Sequence, residues 1–286
     1  MKPIEPQPMK ELFDQISIAS STLVTKTYST SFSLGIKCLH KKFHDAIYSI
    51  YGFVRLADEI VDSFHDFNKL ELLEEFKEGT ALAISRRISL NPILNSFQHV
   101  VNNYGIQQEL IDCFMASMEM DLQETQHSAG SYSTYILGSA EVVGLMCLRV
   151  FTENNGELYE KLKPSAMKLG AAFQKVNFLR DLKNDYEVLG RVYFPKVDLT
   201  VFSEKEKKEI ELDIENDFAE ALTGIKQLPR SSRFGVYVAY IYYKSLFNKI
   251  KSVSSGRMLS ERIRIPNSKK IGLLAGSYVK HSFRMI

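Results

Sequence analysis

Two stretches of this chain are too apolar to lie on a surface, yet each carries acids at helical spacing. Residues 42–64 hold Ala46, Ile47, Ile50, Phe53, Val54, Leu56, Ala57, Ile60 and Val61. A helix this apolar belongs inside a fold. Tyr51, Arg55, Asp58 and Asp62 fall at i, i+4, i+7 and i+11 and so share one stripe of it. Residues 158–186 repeat the pattern. Gln174, Asn177, Asp181 and Asp185 lie at i, i+3, i+7 and i+11, among Leu169, Ala171, Ala172, Phe173, Val176, Phe178, Leu179 and Leu182. Buried carboxylates without partners are strongly destabilising, so something cationic must face both stripes. Set against each other, the two helices would place four carboxylates and one amide across a cleft.

The rest of the chain supports an all-α fold. Only 15 Gly and 8 Pro interrupt 286 residues, and no alternation of strand, turn and helix appears. Helices are expected over 9–27 and 42–64, joined by a loop near Gly35, and over 68–88. Asn91 and Pro92 read as N-cap and first helical residue of the next helix, which Gly105 ends. Gln107 to Thr125 follows, with a turn over His127 to Gly130. Ser131 to Thr152 is apolar all round and carries Gly138 and Gly144, which point to close approach of another backbone or a ligand. Leu158 to Tyr186 is a long helix. Ser203 and Glu206 make a capping box, and Ser231 to Ile250 is a further apolar helix. Nothing resembles a linker, so residues 1–286 are expected to form one domain, a helical bundle around a central cavity, with a flexible lead over 1–8.

Charge and cysteines narrow the function. The balance is 36 basic against 34 acidic residues, which argues against nucleic acid as a partner. Cys38, Cys113 and Cys147 form no CxxC pair and fit a reducing cytoplasm. No run reaches the length of about 18 apolar residues that spans a bilayer. The basic tail around Lys269, Lys270, Lys280, His281 and Arg284 is compatible with peripheral contact with the inner face of a membrane. The acidic stripes offer hard oxygen ligands, which suit Mg2+. Mg2+ binds through one or two carboxylates plus substrate phosphates, so a diphosphorylated ligand is implied. Arg55, Arg180 and Arg191 are close enough in sequence to add positive charge. The apolar remainder implies that the other end of the ligand is hydrocarbon.

The same residues resemble the squalene and phytoene synthase family. Tyr28-Ser29-Thr30-Ser31-Phe32 is similar to its Ser-x-Ser-Phe segment. Tyr51 to Asp62 and Gln174 to Asp185 are similar to its two aspartate motifs, and Gly190-Arg191-Val192-Tyr193-Phe194-Pro195 to the loop after the second. Bacterial phytoene synthases are the nearest likeness, over about Thr25 to Lys270. The resemblance implies the isoprenoid-synthase fold and a prenyltransferase. In such an enzyme Asp58, Asp62, Asn177, Asp181 and Asp185 would hold Mg2+, or Mn2+ in its place, without NADPH. It also implies that Ser29, Ser31, Tyr51, Arg55, Gln174, Arg180, Arg191, Tyr242 and Arg262 contact the diphosphates or the reacting carbons. Glu59 stands where many members have a second aspartate.

The implied reaction is head-to-head (1'-1) condensation of two geranylgeranyl diphosphates to phytoene, through a cyclopropyl diphosphate, in carotenoid biosynthesis. The alternatives are squalene or dehydrosqualene synthesis from two farnesyl diphosphates, or a non-catalytic assembly relative. Other polar groups read as ordinary structure ahead of function; His40 and His44, four apart, are weighed against a metal pair. His40 and His44 belong to a loop and the surface. Glu119, Asp121 and Glu124 read as a solvated helix face, with a role in the cavity left open as the alternative. Tyr240 and Lys244 only mimic a dehydrogenase pair, since no GxGxxG is present. Glu141 is left between the cavity and a pairing with Arg149.

Overall fold

A computed structural model describes residues 9–123, 126–195, 197–199, 201–264 and 272, without the side chains of Thr30 and Ser31. The 1–8 lead, Glu124 and the basic tail lie outside the described residues. The first half of the chain forms α1 (Met9–Tyr28), α2 (Thr30–Lys37), α3 (His44–Ser63), α4 (Lys69–Arg86), α5 (Pro92–Tyr104) and α6 (Gln108–Gln123). The second half forms α7 (Ala129–Ile136), α8 (Val142–Phe151), α9 (Gly156–Glu187), α10 (Glu204–Ile225), α11 (Arg230–Lys251) and α12 (Ser255–Ser260). Among the described residues the only β pairing is an isolated bridge between Gln126 and Val192.

Local chemistry sets the helix ends. The Asn91 side chain accepts from the Ile93 and Leu94 N–H groups, with Pro92 in the first turn. Gly105 closes α5 at φ +59°, a left-handed conformation that a side chain disfavours. Ser203 and Glu206 form the expected capping box. Two expectations need correction. Gly35 lies inside α2 rather than in a loop, because Ser29 breaks α1 and starts a new helix, its hydroxyl accepting from the Phe32 N–H at 3.2 Å. The run from Ser131 to Thr152 is not one regular helix: a π-helical turn, Leu137–Glu141, joins α7 to α8. Its glycines are needed for approach. A Cβ on Gly138 would stand 2.6 Å from the Cys113 carbonyl oxygen, and one on Gly144 3.0 Å from that of Ala166.

Taken together, Ala129–Phe151 is long and apolar enough by composition to cross a bilayer, contrary to the sequence expectation. More than half of it is buried here, packed on α6 and α9. Two apolar clusters make up the interior. One centres on Phe53, which stacks on Phe97 at 3.8 Å and meets Phe76 and Phe114. The other includes Phe178, Phe218, Tyr240 and Phe247. A cavity of about 1040 Å³ is lined by residues of both.

Candidate active site

Helical spacing puts each acidic stripe on one face, and packing turns the two faces toward each other. Ser29, Tyr51, Arg55, Asp58, Asp62, Gln174, Asn177, Arg180, Asp181, Asp185, Arg191 and Arg262 all line the same cavity. The opposite face of α9 helps to fix its rotation. There Lys175, buried, bonds Asp217 of α10 at 2.6 Å, and Lys168 reaches the same carboxylate at 3.0 Å. Glu141 stands in the field of Lys168 rather than in the cavity or against Arg149. Arg149 instead lies 3.5 Å over the Tyr159 ring.

The cations demanded by the buried acids are arginines. Arg55 pairs with Asp58 and Glu59, which gives Glu59 a positioning role. Arg191, buried, donates to Asp62 at 2.7 Å and to the Asp121 carbonyl oxygen at 3.1 Å. Arg180 bonds Asp181 at 3.0 Å, and Arg262 reaches the same aspartate at 2.5 Å. Asp185 forms no ion pair among the described residues. Burial, then the nearby Asp181 and Asp62, push its carboxyl up to about 8. Burial and Asp62 push Asp58 up to about 7. Asp58 keeps 37% of its side-chain surface open, but that surface faces the cavity. Asp62 of α3 thus acts on Asp185 of α9 across the mouth.

The amides and rings complete the wall. Gln174 donates to the Ser139 hydroxyl at 3.3 Å, and Asn177 accepts from the Tyr243 hydroxyl at 3.3 Å. Phe32 packs on Tyr51 at 4.9 Å, and the Arg55 guanidinium lies 4.2 Å over the Tyr28 ring. Tyr242 is the exception among the expected residues. Tyr243 lines the cavity, while Tyr242, edge-on to it, does not line it but stands with it in the field of Arg180. Ser31 sits on α2, but its side chain lies outside the described residues. His40 caps a short 3-10 turn and His44 bonds the Leu39 carbonyl, as surface and loop residues do.

Asp121 follows the cavity alternative, not the solvated face. It is buried on the cavity wall rather than solvated, accepting from Tyr135 at 2.7 Å and Tyr193 at 3.2 Å. Burial pushes its carboxyl up to about 6, against the opposing pull of Arg191. The signal was present: Phe114, Ser117, Met118 and Asp121 share one face of α6. Glu119, off that face, pairs with Lys77 at 2.9 Å.

The squalene/phytoene synthase family model matches residues 25–269. The chain belongs to the squalene/phytoene synthase family. A 4,4'-diapophytoene synthase of Staphylococcus haemolyticus is 30% identical over 197 residues, 66% of each chain. The chloroplastic phytoene synthase 1 of Solanum lycopersicum is 22% identical over 277 residues, 90% of this chain and 66% of that one. The chain therefore spans about two thirds of the length of both. The crystal structure of a dehydrosqualene synthase in complex with a ligand shares the fold at a TM-score of 0.81 and 20% identity, over 94% of this chain and 98% of that one. The architecture is the isoprenoid-synthase helical fold.

The donor set of this family member fits Mg2+. No three acidic, His or Cys side chains among the described residues converge into a closed cage. Mg2+ does not require one, since one or two carboxylates with waters and phosphate oxygens suffice. The raised carboxyls give this fit a measurable sign. Aspartates that hold protons more tightly folded than unfolded make the ion-free protein lose stability as pH rises from 3.8 through about 7 to 8. A divalent cation needs them ionised. Titrating the protein with Mg2+ alone, without pyrophosphate, which would shed protons of its own, is therefore expected to release protons at pH 6.5, and much less at pH 9. Calorimetry in two buffers of different protonation enthalpy measures this, and equal heats at pH 6.5 would exclude these carboxylates as ligands.

Proposed function

We propose that this chain is a Mg2+-dependent prenyltransferase that joins two geranylgeranyl diphosphates head to head into phytoene, through a cyclopropyl diphosphate. The observation that supports the proposal is the pair of opposed acidic stripes, each paired with arginines of its own, at one end of an apolar cavity. Asp58 and Asp62 would hold metal on one side, and Asn177, Asp181 and Asp185 on the other. When bound, Mg2+ neutralises the diphosphate and so stabilises it as a leaving group. Arg55, Arg180, Arg191 and Arg262 are placed to donate charge-assisted hydrogen bonds to the diphosphate oxygens, releasing the aspartates they now hold. The apolar walls exclude water, which would quench an allylic cation. The stacked Phe173 and Tyr243 rings, 3.9 Å apart, offer faces that favour a nearby cation. Burial raises the Tyr243 hydroxyl above its ordinary range, so it keeps its proton. Released diphosphate is the better acceptor for the last proton.

Cavity length supports the longer donor. Along α9 the lining runs from Asn177 down to Leu162, roughly 22 Å at 1.5 Å per residue. At about 1.25 Å of advance per carbon–carbon bond, an extended C20 chain needs roughly 20 Å and a C15 chain roughly 15 Å. The diapophytoene synthase relative keeps the C15 alternative in play. Retention of all four stripe aspartates speaks against a non-catalytic relative. The test is one incubation series with C15 and C20 diphosphates, with and without Mg2+ and NADPH. Phytoene from the C20 donor, needing Mg2+ and indifferent to NADPH, is expected. Hydrocarbon from the C15 donor alone would overturn the chain length, and product made only with NADPH would overturn the non-reductive course.

A further inference from the structure

Helix α1 is built inside out. Its buried stripe is Ser17, Ser21 and Thr25, each fully buried. The Ser17 and Thr25 hydroxyls donate to carbonyls one turn back, at 2.8 Å each, and Ser21 shares a 2.7 Å hydrogen bond with Ser96 of α5. These small residues let α3 come close: a Cβ on Gly52 would stand 2.7 Å from the Ser21 hydroxyl oxygen. Apart from Val24, which packs on the core, and the half-buried Ile18, the aliphatic side chains of α1 point the other way. Met9, Leu12, Ile16 and Leu23 are 79%, 42%, 52% and 67% exposed, and Ala19 is exposed with them.

The spacing 9, 12, 16, 19, 23 is the alternating three-and-four step of a helix-pairing seam. A shallow groove of about 450 Å³ lies beside this face, lined by Ile18, Ala19, Thr22 and Leu23 and closed by the charged Lys26 and Asp45. Ordinary amphipathic helices turn such a stripe inward. Here the inward positions are taken by hydroxyls, so the seam is left for another surface.

We propose that this seam pairs, antiparallel, with α1 of a second copy of the chain. Charge selects that partner. The positions flanking the seam, Phe13, Gln15, Ser20, Thr22 and Thr27, carry no charge, so two copies do not repel there. The next seam position is Lys26. A parallel pair would set Lys26 against Lys26. An antiparallel pair centred between Ile16 and Ala19 sets Leu12 against Leu23 and brings Lys26 to the first turn of the other copy, where Lys10 is neutralised by its ion pair with Asp14 and Glu11 stands exposed. A bilayer surface is the poorer fit, because interfacial helices flank their apolar face with Lys and Arg. The seam extends about 26 Å at 1.5 Å per residue, which places the pair at the small end of specific interfaces and its dissociation in the micromolar range.

Sedimentation equilibrium of the full chain, from about 1 to 100 µM to bracket that range, reads the result. Twice the 32.7 kDa chain mass is expected at the upper end. Ile16→Glu with Leu23→Glu is expected to weaken association at least about a hundredfold, since each copy loses two aliphatic anchors. Melting temperature and diphosphate release should stay at wild-type values, because neither side chain touches the core or the cavity. Mixed Leu12→Cys and Leu23→Cys chains should form the mixed disulfide. A wild-type chain that stays monomeric, or a dimer that survives the double substitution, overturns the proposal. So does a disulfide between two Leu12→Cys chains as the main product, or capture by anionic vesicles without dimerisation.

Discussion

Asp58→Ala and Asp181→Ala are each expected to abolish Mg2+-dependent diphosphate release while leaving helix content by circular dichroism unchanged. Each side chain stands on the cavity wall rather than in the packed core, so its removal opens no apolar void. Each is also held by arginine in the ion-free state: Asp58 by Arg55, and Asp181 by Arg180 and Arg262. Without the carboxylate, Arg55 keeps Glu59 as partner, and the other two arginines keep access to water at the mouth. The fold therefore tolerates the change, whereas the proposed reaction loses a group assigned to the place where leaving-group charge develops. Removing one such group typically costs about 10² to 10³ in rate, and losing a metal ligand adds to that. Both variants should fall at least about 10³-fold, in initial rates of pyrophosphate release at saturating Mg2+. Wild-type rates in either variant would remove the proposed metal site.

Arg191→Leu is expected to give the largest loss of stability at the site. Arg191 sits buried between α3 and α6, donating to Asp62, to the Val61 and Asp121 carbonyl oxygens and to the Tyr193 hydroxyl. Removing it strands two carboxylates in a low-dielectric pocket. Breaking a buried pair from one side costs about 3 to 5 kcal/mol, on the order of 10 °C in melting temperature for a chain of this size. The loss should depend on pH with a definite sign. The Asp121 carboxyl already sits at about 6 with Arg191 beside it, and without that charge it rises further. Protonation at low pH relieves the stranded charge, so the deficit should be smaller at pH 5 than at pH 8. A deficit equal at both values would show that Arg191 acts through packing alone.

Much of the site was legible in the chain because helical spacing is geometry. Residues at i, i+4, i+7 and i+11 share a face whatever the surroundings, so Asp58 with Asp62, and Asp181 with Asp185, could be grouped before any fold was known. Caps were legible for the same reason: Asn91 with Pro92, and Ser203 with Glu206, act on N–H groups within one turn. Asp121 escaped because the charges around it suggested a wet face, and its burial depends on Tyr135, Tyr193 and Arg191 arriving from distant segments. Tyr243 was missed beside Tyr242, since one residue step is about 100° of rotation and only the packing of α11 decides which ring lines the cavity.

The order of residues by itself determined helix content, helix ends and which side chains ride together on a face, because those follow from hydrogen bonds and angles a few residues long. The tertiary structure alone decided which faces meet: acid stripe opposite acid stripe across one cavity, each with its own arginines, and a hydroxyl seam on α1 that turns its aliphatic stripe outward. Those choices are set by shape and charge between segments up to 130 residues apart, as Val61 and Arg191 are, and no local period encodes them.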